Sequence, residues 1–237
     1  MCTGRVDLAF ILRAFFNGID GVYIAGCRLD ECKYITQGNY YALNIVLLGK
    51  RLLEHIGLDS NRLRIEFMSS AEANRFVETV NDFTQVIRER GPIGEKEGLR
   101  REELKAKLGE LAKLVPYLKI ATRKKLSARL KNREEWETLF TREEIETLFR
   151  ELPSYYIDPS KCQACMTCAR RCPVDAILSG KNLIHIIDQE KCIKCGTCLE
   201  VCPPRFSAVT KIIGQPPPPP IPEEKRLIVR KGKESSN

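Results

Sequence analysis

Residues 162–173 read CQACMTCARRCP and residues 192–203 read CIKCGTCLEVCP, and the chain is organised around these two stretches. Both follow the pattern C-x2-C-x2-C-x3-C-P, so the four cysteines and the proline of each stretch are in phase. The match extends upstream, where Ile157-Asp158 corresponds to Ile187-Asp188. Such a repeat indicates an internal duplication, and it predicts two similar halves related by a pseudo-two-fold axis.

The eight repeated cysteines predict two [4Fe-4S] clusters. Short gaps let three thiolates surround one corner of a cubane, and the following proline turns the chain away. This is the spacing of bacterial two-cluster ferredoxins, in which the fourth cysteine of each run ligates the other cluster. The predicted ligands are Cys162, Cys165, Cys168 and Cys202 for the first cluster, and Cys192, Cys195, Cys198 and Cys172 for the second.

Two alternatives to clusters remain open from the spacing. Structural zinc sites also use CxxC pairs, but they need only four thiolates and do not explain the third cysteine step or the proline. Disulfides are the weaker alternative, because the sequence shows no secretory signal.

The composition limits the class of protein. A length of 237 residues suggests one or two domains, and eleven cysteines without a signal peptide predict metal-bound thiols in a reducing cytoplasm. The apolar run at residues 8–12 is interrupted by Arg13, so it predicts neither a signal core nor a membrane span.

The net charge of +8 is concentrated between Glu110 and Glu134, where eight basic residues and no acidic ones occur. This segment predicts either a docking surface for an acidic partner or a solvated helix face.

Residues 1–92 predict an α/β domain. Helices are expected from Asp7 to Phe16, from Asn39 to Ile56, and after a capping box formed by Ser69 and Glu72. Short apolar runs at residues 21–26 and 63–68 predict strands of a parallel sheet. Because two strands are too few for a stable sheet, we expect another polypeptide or a missing N-terminal segment to complete it.

The rest of the chain divides into three predicted segments. Residues 93–152 are expected to form a charged helical connector, in which Pro116 ends the first helix. Residues 153–214 should form an α+β two-cluster ferredoxin domain. Residues 215–237 are a proline-rich and basic tail, which should extend as polyproline II over a partner.

Residues 2–92 resemble the small iron–sulfur (delta) subunit of methyl-viologen-reducing hydrogenase. The matching motifs are Cys2-Thr3-Gly4-Arg5-Val6-Asp7, Asp20-Gly21-Val22, Ala25-Gly26-Cys27, Glu31-Cys32-Lys33-Tyr34, Gly38-Asn39-Tyr40 and Ser70-Ala71-Glu72. The resemblance covers about the C-terminal two thirds of that domain, since members of the family begin with a strand and a further cysteine motif. Residues 155–213 separately resemble two-cluster ferredoxins, including those fused to subunits of bifurcating hydrogenases.

The resemblance implies a [2Fe-2S] cluster in the N-terminal domain. Its ligands here would be Cys2, Cys27 and Cys32, whereas spacing alone leaves packing, a redox disulfide and metal binding open for Cys27 and Cys32. Three thiolates are one short of the usual four. We therefore expect a missing piece of polypeptide to supply both a strand and a ligand.

These features predict a cytoplasmic electron-transfer subunit with no activity of its own. The resemblance implies that it connects an electron-donating hydrogenase, formate dehydrogenase or similar oxidoreductase with a heterodisulfide-reductase-A-like flavoprotein. A stand-alone thiol–disulfide reductase using Cys27 and Cys32, or an iron–sulfur nucleic-acid-binding protein, are the alternatives. No phosphate loop or nucleophile–base pair is recognisable. His55 and His185 are expected to have packing or surface positions and no catalytic role, and Trp136 is expected to be a packing anchor or a partner contact.

Overall fold

The computed structural model describes residues 2–34, 38–130 and 132–228, which form two compact units divided after Phe149. The helices and strands of the first unit are α1 (Leu8–Phe16), β1 (Val22–Gly26), α2 (Asn39–His55), β2 (Leu63–Phe67), α3 (Ala73–Arg90), α4 (Arg101–Ala121), α5 (Arg123–Leu126), α6 (Arg133–Thr138) and α7 (Arg142–Arg150). Those of the second are β3 (Pro153–Ile157), α8 (Thr167–Arg171), β4 (Ile177–Gly180), β5 (Leu183–Ile187), α9 (Thr197–Glu200) and β6 (Val209–Ile213).

The first unit contains a parallel sheet, as predicted. β1 pairs with β2 in register from Val22–Leu63 to Gly26–Phe67, and α2 makes the crossover between them. Among the described residues this sheet has two strands. The Ser69 N–H does donate to the Glu72 carboxylate at 2.6 Å, but this bond lies in the turn before α3, which begins only at Ala73.

Helix α1 forms because its sequence supplies both a cap and an apolar face. The Asp7 side chain accepts a hydrogen bond of 2.9 Å from the Ala9 N–H, which satisfies one of the free donors at the helix start. Leu8, Ile11, Leu12 and Phe15 follow at helical spacing and are all buried.

The segment predicted as a connector packs into the core of the first unit. Leu104, Leu108, Leu111, Val115 and Leu118 form a buried stripe on α4, in one cluster with α1 and α2. Residues 93–149 thus belong to the same compact unit as residues 1–92. The predicted helix end at Pro116 was wrong, since α4 continues to Ala121.

Part of the basic charge of this segment is neutralised within the unit. Lys119 pairs with Asp7, Lys125 pairs with Glu144, and Arg129 pairs with Asp30. Docking of this segment on an acidic partner remains a prediction, although these three cations are already engaged.

A buried arginine connects the sheet to the loop that follows α3. Arg62 is fully buried and its guanidinium bonds to Glu97 at 2.6 Å. It also donates to four backbone carbonyls, those of Asp20, Arg90, Gly91 and Pro92. A single arginine carries no sequence pattern, so this contact was not predicted.

The second unit shows the predicted internal repeat. β3 pairs with β6 and β4 pairs with β5, each antiparallel. Since the repeat length is thirty residues, β3 corresponds to β5 and α8 to α9, so each half supplies one strand to each pair.

The tail was predicted to extend over a partner, but its described part packs on the ferredoxin unit. Pro218, Pro220 and Ile221 line a small cavity together with residues of β3 and β5. The buried Arg226 donates to the carbonyls of Leu178 at 2.9 Å and Ile184 at 3.1 Å. Residues up to 228 thus pack on this unit, while residues 229–237 lie outside the described part.

No described helix is both long enough and apolar enough to cross a membrane.

Candidate iron–sulfur sites

The two cysteine runs begin with the same turn. The Cys162 N–H donates to the Asp158 carbonyl at 3.0 Å, and the Cys192 N–H donates to the Asp188 carbonyl at 3.0 Å. The two aspartate side chains also cap the turn, since they accept from the N–H groups of Ser160 and Glu190. The repeat in sequence is therefore a repeat in hydrogen bonding.

The backbone within each run adopts left-handed turns at matching positions. Ala164 and Met166 have φ of 50° and 65°, and their counterparts Lys194 and Gly196 have φ of 57° and 82°. Turns of this kind aim successive N–H groups into a concavity, which is a geometry found at anion and iron–sulfur sites. The backbone thus fits a negatively charged sulfur cluster.

The first three thiols of each run lie close together, with Cys162 and Cys168 buried and Cys165 exposed. Burial raises the pKa of the Cys168 thiol to about 11, and the negative forms of Cys162 and Cys165 act in the same direction. Burial raises the pKa of the Cys198 thiol to about 12, again with help from its neighbours Cys192 and Cys195. Thiolates packed this closely repel one another, and bound iron offsets that repulsion because it holds cysteine ligands deprotonated.

The fourth cysteine of the first run lies near the second run. Burial raises the pKa of the Cys192 thiol, and the negative charge of Cys172 contributes to that rise. The Cys172 Sγ accepts from the Ala176 N–H at 3.3 Å, and the Cys202 Sγ accepts from the Ala208 N–H at 3.3 Å. The position of Cys172 fits the predicted exchange of ligands between the runs.

The three remaining cysteines come together in the first unit. The Sγ atoms of Cys2 and Cys32 are 3.8 Å apart, and Cys27 neighbours both. Burial raises the pKa of the Cys27 thiol, and the Cys32 and Cys2 thiols raise it further. At Cys32 burial is outweighed by hydrogen bonds from the backbone N–H groups of Tyr34 and Asn39, which leave the pKa of that thiol lowered.

The start of α2 shapes this group of thiols. Asn39 is buried and its Nδ2 donates to the carbonyls of Cys27 at 2.9 Å and Arg28 at 2.6 Å. At Gly38 an added Cβ would lie 2.3 Å from the Cys32 Sγ, so only glycine allows this approach. These contacts explain why the Gly38-Asn39 motif accompanies the cysteines.

An open cavity of about 380 Å³ adjoins Cys27 at the carboxyl ends of β1 and β2. Parallel α/β sheets bind ligands at this edge. A larger cavity of about 680 Å³ lies along β2 and α2, and no cysteine lines it. Among the described residues, no group of three or more His, Cys, Asp or Glu side chains is arranged for a single metal ion.

Two family models match the chain. The model for the delta subunit of methyl-viologen-reducing hydrogenase matches residues 1–91, and a 4Fe-4S dicluster domain matches residues 154–203. The vhu iron-sulfur subunit of the F420-non-reducing hydrogenase from Methanopyrus kandleri is 41% identical over 92 residues, which are 39% of this chain and 69% of that protein. The chain belongs to the methyl-viologen-reducing hydrogenase delta subunit family. The group of Cys2, Cys27 and Cys32 lies within the matched domain.

Relatives of this delta-subunit family member come from both hydrogenases and heterodisulfide reductases. The iron-sulfur subunit of the F420-non-reducing hydrogenase from Archaeoglobus profundus is 42% identical over 92 residues, 39% of this chain and 66% of that protein. The A component of the ferredoxin:CoB-CoM heterodisulfide reductase from Methanosarcina mazei is 43% identical over 113 residues, 48% of this chain. The matched region spans only 14% of the length of that reductase component.

Two histidines and the tryptophan were not predicted as ligands, and the structure shows what each of them contacts. His55 stacks on Phe149 with ring centroids 4.3 Å apart, and Trp136 meets the edge of Phe67 at 6.3 Å. His185 is also buried, but its Nδ1 lies 3.3 Å from the Sγ of Cys168, one of the predicted cluster ligands. The internal repeat could have drawn attention to this position, because His185 lies one repeat length after Tyr155. The two residues precede the second and the first cysteine run, respectively, by the same distance.

Proposed function

We propose that this chain is a non-catalytic electron-transfer subunit that relays electrons through iron–sulfur clusters. Its donor would be a hydrogenase, a formate dehydrogenase or a similar oxidoreductase, and its acceptor a heterodisulfide-reductase-A-like flavoprotein. The observation that carries the proposal is the pair of cysteine runs, whose opening turns and left-handed residues repeat at matching positions.

Each [4Fe-4S] cluster would supply one-electron exchange when bound. The chain contributes the thiolates, with the predicted ligand sets Cys162, Cys165, Cys168, Cys202 and Cys192, Cys195, Cys198, Cys172. Its backbone N–H groups in the left-handed turns would donate toward the cluster sulfurs, and its buried side chains would exclude water. These are the means by which a protein sets a cluster's potential.

We propose a third cluster, of the [2Fe-2S] type, on Cys2, Cys27 and Cys32. The short Cys2–Cys32 distance and the neighbouring Cys27 support a shared ligand role. A fourth ligand must come from outside this trio, and the open cavity beside Cys27 offers room for a segment that brings it. Such a segment would also extend the two-stranded sheet.

A thiol–disulfide reductase is the second candidate. The observation in its favour is that Cys27 and Cys32 neighbour each other and that the pKa of the Cys32 thiol is lowered. Thiolate character favours exchange with disulfides. A nucleic-acid-binding role has less support, because three cations of the basic segment already pair with carboxylates of the same unit.

The test is anaerobic reconstitution of the full chain, followed by two assays. The reduced chain should transfer electrons to a heterodisulfide-reductase-A-like flavoprotein, and it should show no turnover with a dithiol and a disulfide substrate. A Cys27→Ser, Cys32→Ser double variant separates the candidates. It should retain both [4Fe-4S] clusters, whereas a disulfide reductase activity that disappears in this variant would refute the electron-transfer proposal.

A further inference from the structure

One side chain next to the first cysteine run has no counterpart at the second. His185 is buried on β5, and its Nδ1 lies 3.3 Å from the Cys168 Sγ. The equivalent residue one repeat earlier is Tyr155 on β3, which is also buried. Tyr155 faces the second run, since it lines a small cavity together with Cys192, Cys195 and Cys198.

The two rings differ in what they donate. The Tyr155 Oη packs against Gly196, where an added Cβ would lie 2.8 Å from it, and no hydrogen bond from this hydroxyl to a sulfur is found among the described residues. His185 by contrast has a ring nitrogen at hydrogen-bond distance from a sulfur. The pseudo-symmetric halves therefore give their cysteines unequal hydrogen bonding.

We propose that His185 is a positioning residue that donates its Nδ1–H to the Cys168 thiolate and so raises the reduction potential of the first cluster above that of the second. This inference rests on the proposed cluster assignment. A ligating thiolate has no proton to give, so the shared proton belongs to Nδ1. Such a bond withdraws electron density from the sulfur and stabilises the more negative, reduced cluster.

The surroundings of the other ring nitrogen fit this tautomer. With the proton on Nδ1, Nε2 is an acceptor, and in the described structure it is buried without a protein partner. The Oε1 of Gln189 is likewise buried without a protein partner. The orientation of this amide is fixed, because its Nε2 donates to the carbonyls of Tyr155 and Ile187. The histidine and the glutamine both line a cavity of about 40 Å³ together with Pro218 and Pro220, and it has room for a water that donates to both side chains.

The asymmetry gives the relay a direction. The cluster with the higher potential takes up the first electron, and the second cluster is reduced only at a lower potential. An electron that enters through the second cluster would pass downhill to the first. The chain would then favour storage of a single electron beside His185.

The test is voltammetry of the reconstituted full chain, in which each cluster takes up one electron from the electrode. His185→Phe keeps the buried ring and removes the donor. We expect one of the two waves to shift to lower potential by ~59 mV. For a one-electron couple, this shift lowers the reduced-to-oxidised ratio at a fixed potential about ten-fold. Tyr155→Phe is the matched control and should move neither wave to this extent.

Two further measurements keep the proposal testable if His185→Phe loses iron. His185→Asn places an N–H close to the position of Nδ1 and should retain the native wave. The chain has only two histidines, so 15N-histidine labelling with His55→Gln as control should show a nitrogen coupled to the reduced first cluster. Two intact but unshifted waves in His185→Phe, or no coupled nitrogen in the wild type, would overturn the inference. Absence of both waves and of iron in the wild type would instead refute the cluster assignment.

Discussion

At the scale of single residues, the buried ion pair of Arg62 and Glu97 has the largest expected effect on the first unit. The carboxylate is nearly buried, and the hydrogen bond from Arg62 outweighs the effect of burial, so the pKa of Glu97 is lowered. A buried pair does not guarantee net stabilisation, but removal of one partner leaves an uncompensated charge.

We therefore expect Arg62→Ala to lower the free energy of unfolding by about 3–5 kcal/mol. Urea unfolding followed by tryptophan fluorescence measures it, because Trp136 is the single tryptophan and lies in the first unit. Arg88→Ala, at an exposed position of α3, is the control and should change little. Equal stabilities of the two variants would mean that the Arg62 contacts contribute nothing.

The ion pair of Asp7 and Lys119 predicts a pH effect. Burial opposes ionisation of Asp7, but hydrogen bonds from Lys119 and the Ala9 N–H leave its pKa lowered. A carboxylate with a depressed folded-state pKa stabilises the fold above its unfolded pKa of about 3.9, and this contribution is lost as pH falls through the folded value.

Asp7→Asn should retain the helix cap and lose the charge. We expect a loss of about 0.5–1 kcal/mol at pH 7, since the pair is partly exposed, and a difference from wild type that vanishes on acidification below about pH 4. Chemical denaturation at several pH values checks this. A difference that stays constant down to acid pH would show that the ion pair is not the cause.

At the scale of elements, the contrast between α4 and the cysteine runs explains what the sequence could predict. Ligand spacing within twelve residues specifies a local loop, so the cysteine runs and their repeat were predictable. The stripe of Leu104, Leu108 and Leu111 on α4 shows that the helix needs a partner, but it does not say that the partner is α1. The packing of the tail was not predicted, because a proline run indicates an extended conformation but not the surface on which it packs.

Arg226 fixes the tail to the ferredoxin unit, so its removal should weaken that unit. Arg226→Ala removes the hydrogen bonds to the part-buried carbonyls of Leu178 and Ile184, at an expected cost of about 2 kcal/mol. The rate at which cluster absorbance is lost in denaturant should rise, while the exposed Lys225→Ala should behave as wild type. Identical loss rates for both variants would place the tail outside the unit.

The exchange of ligands between the runs is testable by mapping free thiols. Cys172→Ala should lose one cluster and expose Cys192, Cys195 and Cys198 to alkylation, which mass spectrometry locates. Cys202→Ala should instead expose the first three cysteines of the first run. If each variant freed the cysteines of its own run, the ferredoxin ligand pattern would be wrong.

At the scale of the whole molecule, the chain joins a delta-subunit domain to a two-cluster domain. Family motifs were sufficient to predict this combination, since each domain carries its cysteines in a short signature. They were not sufficient for His185 or Arg62, whose roles depend on contacts distant in sequence. Such contacts follow from the packed structure and have no local pattern.

The central claim, that this chain carries electrons on iron–sulfur clusters, is tested most directly by a redox titration of the reconstituted full chain with iron counted per chain. We expect at least eight irons per chain, Mössbauer and EPR spectra of [4Fe-4S] clusters, and two one-electron reductions from the second unit. A chain whose eight repeated cysteines hold zinc, or whose clusters accept no electrons, would contradict it.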